Sequence, residues 1–226
     1  MHIYYSSLLH LAGVLVFTGT CVASEIVIDD FTEGEISYST TGQNYIDGLD
    51  PNHVVGGARY TSFHIVGTAT SAAFHIDSGF EITADPEAYK YFDIGYGIDA
   101  LYPLSELPLN LDLSGKPYLQ FEFQSSSIDV FHANARSIQV FMNSPSGGGN
   151  LLITIEDDLE KVLLPLSQLS DQGVDLSEVS SIWLRSSRLR SSFLINRIVA
   201  VPEPSSSALA FMLLIVFSCC LQRRLA

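Results

Sequence analysis

The sequence predicts an all-β domain, an antiparallel β-sandwich, flanked by a short hydrophobic segment at each end. Three observations carry that prediction. Short runs alternate apolar and polar residues with period two, as strands with one buried face do. Gly, Pro, Asn and Asp interrupt these runs at close intervals. No stretch between residues 25 and 200 keeps the 3.6-residue period of a long amphipathic helix.

The runs follow in order. Residues 25–31 (EIVIDDF) read as the first strand, and residues 32–53 are polar and turn-rich. Strands follow at 58–66, 69–77 and 80–84, joined by Gly67-Thr68 and Ser78-Gly79, both suited to tight hairpins. Residues 89–96 form another strand, and 97–116 a loop rich in Leu and Pro. In 118–124, Leu119, Phe121 and Phe123 share a face; in 137–142, Ile138, Val140 and Met142 do. A glycine loop at 146–150 leads into a strand at 151–156. The strand 161–164 stops at Pro165, and 166–169 suits one helical turn. Residues 179–185 and 193–201 are the last strands. About ten strands without a long helix make a sandwich.

Composition narrows the function classes. The chain carries a formal net charge of −14. Residues 25–200 hold every acid but Glu203 and every Lys and Arg but Arg223 and Arg224, so this segment is slightly more acidic still. Such a surface repels nucleic acid and anionic lipid. Cys21, Cys219 and Cys220 are the only cysteines, so the central domain has none and folds without a disulfide.

The ends read as targeting segments. Residues 1–24 look like a secretory signal peptide: an apolar run at 8–17, then a small-residue site at Cys21-Val22-Ala23 or Val22-Ala23-Ser24. Its leading residues hold no Lys or Arg, and Thr18-Gly19-Thr20 lacks the Leu of a lipoprotein signal. At the other end, Pro202, Glu203 and Pro204 precede three serines, an apolar run at about 208–221 and the pair Arg223 and Arg224. Prolines stop regular structure there. The apolar run is short for a membrane span of about 20 residues, and terminal arginines hold that end cytoplasmic.

This tail, residues 201–226, resembles the PEP-CTERM sorting signal of Gram-negative bacteria. The resemblance implies an exported protein that passes through the inner membrane. An exosortase-type protease would process it, with Pro202, Glu203 and Pro204 as recognition residues. It also implies delivery to a cell surface or exopolysaccharide matrix. A permanent tail anchor is the alternative.

Within 25–200, the phrases LNLDLSGKPYLQFEF from Leu109, KVLLPLSQLSDQGVDLSEVSSIWL from Lys161 and SFLINRIVAV from Ser192 occur in order. They resemble the jelly roll of carbohydrate-binding-module-like and galactose-binding-like domains, in which first and last strands lie side by side. That resemblance implies a non-enzymatic adhesive, structural or glycan-binding role, with a carbohydrate-active enzyme as the alternative. It also implies a structural calcium between first and last strands. Here Asp29, Asp30, Glu33 and Asn196 are the candidate ligands, and solvated acids are the other reading.

Further candidates come from the residues themselves. Tyr89, Tyr91, Phe92, Tyr96 and Tyr102 crowd with Asp93 and Asp99, a composition that stacks on sugars and accepts from hydroxyls, or that anchors a strand in a core. Trp183, between Ile182 and Leu184, is expected to pack against the sheet. Arg185, Arg188, Arg190 and Arg197 form a basic cluster suited to an anionic polysaccharide or a solvated hairpin. His53, His64 and His75 recur every eleven residues; hairpin pairing would set His64 and His75 about 13 Å apart, too far for one ion. The run Glu156-Asp157-Asp158 with Glu160 reads as a solvated bend rather than a glycosidase pair. No G-x-S-x-G, H-E-x-x-H or Walker motif is present, and no cofactor beyond calcium is implied.

Overall fold

The computed structural model describes residues 24–66, 72–83, 89–98, 108–127, 137–189 and 191–202. Residues Glu25–Val201 form one compact unit, built from two antiparallel sheets packed as a sandwich. The strands are β1 (Ile26–Asp29), β2 (Ile36–Tyr38), β3 (Gly42–Ile46), β4 (Arg59–Val66), β5 (Ala73–Ile76), β6 (Phe80–Thr83) and β7 (Tyr89–Tyr96). They continue as β8 (Tyr118–Ser127), β9 (Ser137–Ser144), β10 (Gly147–Thr154), β11 (Lys161–Pro165), β12 (Ser181–Leu189) and β13 (Ser192–Val201). A 3₁₀ turn at Val55–Gly57 and one short helix, α1 (Ser167–Asp171), complete the described elements.

One sheet has seven strands in the order β11-β8-β13-β6-β5-β2, with β1 also on β13. The other has six, in the order β10-β9-β12-β7-β4-β3. Strand β13 pairs β6 over Phe193–Ile195 and then β1 over Ile198–Ala200, so the first and last strands are neighbours, as expected. The turn at Ser78-Gly79 joins β5 to β6, with Ile76 opposite Phe80 and Ser78 at φ 58.

Other expectations need correction. β4 and β5 do not form a hairpin: β4 pairs β3 and β7 in one sheet, and β5 pairs β2 and β6 in the other. His64 therefore faces Tyr91, and His75 faces Ser37 and Glu81. Period-two alternation marks a buried face and does not say which sheet a strand joins. The glycines at 147–149 are not a loop; they pair with Met142–Ser144 as the first half of β10. The polar segment 32–53 contains β2 and β3, which lie at the ends of their sheets, where polar strands are tolerated.

The core is aromatic. Phe80 meets Phe74, Phe92 and Phe193 with ring centroids 5.0, 5.2 and 5.4 Å apart, and all four rings are buried. Offset and edge-on contacts of this kind add about 0.5–1.5 kcal/mol each beyond burial. One polar group crosses this core. The carboxylate of Asp29 on β1 accepts from Nε and Nη2 of Arg59 on β4 at 2.6 and 2.7 Å. The Tyr96 hydroxyl on β7 donates to the same carboxylate at 2.8 Å. All three residues have 0% exposure, so the cluster ties the seven-stranded sheet to the six-stranded one in a domain without cysteines. A second tie joins the Tyr38 hydroxyl on β2 to Thr61 on β4 at 3.2 Å.

Among the described residues no helix is long and apolar enough to cross a membrane. The signal-peptide segment and the apolar run at 208–221 lie outside them.

Candidate functional site

The outward side chains of β3, β4, β7, β12 and β9 are unusually aromatic for a solvent face. Ladder register places Tyr45, Tyr60, Gly95, Trp183 and Phe141 in one row across five strands. Four strand spacings make the row about 19 Å long. Tyr60, Trp183, Phe141 and Tyr45 are half-buried. The Tyr60 and Trp183 rings stand edge to face with centroids 5.9 Å apart, on either side of Gly95.

Gly95 makes that closeness possible. A Cβ there would sit 3.2 Å from the Trp183 ring and 2.3 Å from Ile98. With no side chain at 95, the indole lies down over the backbone of β7.

The next row holds the polar groups. Gln43, Ser62, Asp93, Arg185 and Gln139 align across the same strands. Arg185 Nε donates to Asp93 Oδ1 at 2.5 Å, and the Ser62 hydroxyl donates to Asp93 Oδ2 at 3.4 Å. The guanidinium also lies 5.7 Å from the Trp183 ring centre and 5.9 Å from that of Phe141. It is thus held over the aromatics by charge on one side and ring quadrupoles on the other. A third row sets His64 beside Tyr91, centroids 6.2 Å apart, with Thr41 3.2 Å from His64 Nδ1.

An aromatic strip bordered by a carboxylate, a guanidinium, amides and a hydroxyl can do two things at once. The rings take the apolar face of a planar ligand, and the border exchanges hydrogen bonds with groups on its rim.

Of the aromatic candidates, Tyr91 and Asp93 lie on this face, and Tyr89 opens β7 opposite Val66. Tyr96 does not belong to it. Its side chain points inward, is fully buried and donates to Asp29, and burial together with the Asp29 charge pushes its phenol well above the ordinary range. Phe92 is likewise a core ring. Tyr102 and Asp99 lie outside the described residues. Trp183 packs against the sheet as expected, half-buried over Gly95 at the centre of the strip, and Tyr60, Tyr45 and Phe141 join it from other strands. Arg185 belongs to the strip, whereas Arg197 pairs with Glu25 and lies 3.9 Å from Glu122 on the other sheet. Arg185 and Arg197 thus lie on different sheets, and Arg190 and the Arg188 side chain lie outside the described residues.

The calcium set also comes apart. Both Asp29 oxygens are occupied by Arg59, Tyr96 and the Phe31 N–H, inside the core. Burial pushes this carboxyl up while Arg59 pulls it down. Asn196 lies beside the Gly79 turn, 3.7 Å from where a Cβ at Gly79 would be. Glu33 accepts from the Asp50 N–H at 2.7 Å, and Asp30 accepts from Thr32 and His53. Of the tail motif, Pro202 is described and Glu203, Pro204, Arg223 and Arg224 are not.

Fold and face together define a two-sheet antiparallel β-sandwich with an aromatic strip on one outer surface. No protein-family model, curated protein or solved structure matches the chain.

Proposed function

We propose that this is an exported, non-enzymatic protein whose jelly-roll sandwich binds glycans through the outer face of the six-stranded sheet. The observation that carries the reading is the row of Tyr45, Tyr60, Trp183 and Phe141 over the Gly95 gap, bordered by the Asp93–Arg185 pair. Sugars present an apolar face to rings and hydroxyls to carboxylate and amide groups, which is what the two rows offer. The tail resemblance supports delivery: the apolar segment stalls the chain in the inner membrane, an exosortase-type protease cuts near Pro202-Glu203-Pro204, and the sandwich reaches the surface or exopolysaccharide matrix.

The test of the binding reading is a glycan array probed with the full-length chain, wild type and Trp183→Ala. Removing about 80 Å² of stacked ring contact costs about 2 kcal/mol, about thirtyfold in affinity. Binding that ignores Trp183→Ala and Tyr60→Ala would place any glycan site elsewhere. Delivery is tested separately. Alanines at Pro202, Glu203 and Pro204 are expected to retain the chain in the inner membrane, and mass spectrometry of the surface protein should find Arg223 and Arg224 gone.

A further inference from the structure

We propose that one end of the sandwich holds a divalent transition-metal site made by Glu33, Asp50 and His53, with Asp30 positioning the imidazole. The residues come from two loops: Asp30 and Glu33 lie between β1 and β2, and Asp50 and His53 lie between β3 and β4. One ligand atom from each of Glu33, Asp50 and His53 lies within 4.8 Å of the others. The site is distinct from the aromatic strip and independent of the glycan reading.

Backbone hydrogen bonds hold the loops in register. Asp30 N–H donates to the His53 carbonyl at 3.1 Å, and the N–H groups of His53 and Val54 both donate to the Asp50 carbonyl at 2.9 Å. Asp50 N–H donates to Glu33 Oε2 at 2.7 Å, which brings that carboxylate over the second loop. Asp50 uses Oδ1 for the Asn52 N–H and amide, leaving Oδ2.

The imidazole is what separates this group from a patch of surface acids. His53 Nδ1 is 2.6 Å from Asp30 Oδ2, so the ring is oriented and Nε2 is its outward nitrogen. A carboxylate behind the far nitrogen of a ligating histidine fixes the tautomer and strengthens the donor. Charge balance points the same way. Three carboxylates converge on one imidazole. The nearby guanidinium, Arg59, commits its groups to Asp29 and to the carbonyl oxygens of Glu33 and Gly34.

One nitrogen and two carboxylate oxygens, completed by water, suit Zn²⁺ better than Ca²⁺, which takes six to eight oxygens. Zinc bonds of about 2.1 Å bring tetrahedral ligand atoms about 3.4 Å apart. Closing from 4.8 Å is within reach of the Glu33 side chain, which is only half-buried. Bound metal would fasten the β1–β2 loop to the loop after β3.

The experiment uses the full-length chain, stripped with EDTA and titrated with Zn²⁺ against a chromophoric chelator. The expected result is one equivalent whose affinity falls at least tenfold in His53→Gln, Asp50→Asn and Glu33→Gln. Asp30→Asn should weaken it by about tenfold through the ring orientation alone. His75→Gln, on β5, should leave it unchanged. Co²⁺ should give visible absorption bands in the wild type that His53→Gln abolishes. No zinc bound by the wild type, or affinity unmoved by His53→Gln, Asp50→Asn and Glu33→Gln in variants with wild-type circular dichroism, overturns the proposal.

Discussion

Replacing Arg59 with Met removes the cation of the buried cluster and leaves its acid behind. The wild-type guanidinium makes four hydrogen bonds, two to Asp29 and two to the carbonyl oxygens of Glu33 and Gly34. After substitution, the Asp29 carboxylate keeps only the Tyr96 hydroxyl and the Phe31 N–H, at 0% exposure. Breaking one partner of such a pair costs about 3–5 kcal/mol, a large part of a domain's typical 5–15. For a domain of this size that corresponds to a melting point lower by about 10–15 °C. Trp183, the only tryptophan, reports unfolding by fluorescence in a urea titration of the full-length chain. The pH dependence identifies the cause. Burial already holds the wild-type Asp29 pKa above its ordinary value in spite of Arg59, and without the guanidinium it rises further. The added penalty is then complete at pH 7 and shrinks by about 1.4 kcal/mol per unit as pH falls through the variant's pKa toward that of the wild type. Converting both partners, Asp29→Leu with Arg59→Met, should recover much of the loss. A single-variant cost under about 1 kcal/mol, or a gap to wild type that does not narrow in acid, would refute the cross-sheet role.

Three further outcomes are expected. Gly95→Ala should cost about 1–3 kcal/mol and weaken glycan binding, because the new methyl meets Ile98 at 2.3 Å and lifts the Trp183 ring; thermal melts and the array read both effects. Asp112 and Asp175 each accept from the hydroxyl and N–H of a serine two residues on, and these bonds hold both carboxyls below their ordinary pKa. Their stabilisation is present above about pH 3.9 and lost as pH falls through the lowered values, so the melting-point gap between wild type and Asp112→Asn/Asp175→Asn should close in acid. Gln172 presents its amide to the backbone of Asn150 at 2.9 and 3.0 Å, covering part of the free edge of β10; Gln172→Ala should increase self-association in sedimentation velocity.

Strands β8 and β9 were legible in the sequence because Leu119, Phe121 and Phe123, and Ile138, Val140 and Met142, are large, apolar and alternate, and all are buried in the fold. The edge strands were not. Gly42–Ile46 (GQNYI) has no apolar alternation because one of its margins faces solvent. The glycines of β10 looked like a loop, yet a Cβ at Gly149 would sit only 3.1 and 3.2 Å from Gln172 and Leu169. In the site, parity alone separates Tyr91 and Asp93 from Tyr96: positions 91, 93 and 95 of β7 face out, and 92, 94 and 96 face in. The remainder of the strip depends on register between strands far apart in the chain. Nothing local to Tyr60, Phe141 or Trp183 announces that they share a row.

The buried cluster and the exposed strip are two sides of the same backbone. Arg59 and Tyr96 point inward to Asp29, while their neighbours Tyr60 and Gly95 point outward and are ladder partners. The ionic tie therefore holds β4 and β7 together beneath the aromatic row. A surface that stacks on a planar ligand gains affinity when its rings are held in place beforehand, since little order is then lost on binding. In a domain whose 25–200 segment has no cysteine, a hydrogen-bonded ion pair between sheets provides that constraint. On this reading the fully buried arginine has a place in a core made mainly of aliphatic and phenylalanine side chains. Its position beneath the strip, rather than its net energy, is what the hydrophobic alternative would not reproduce.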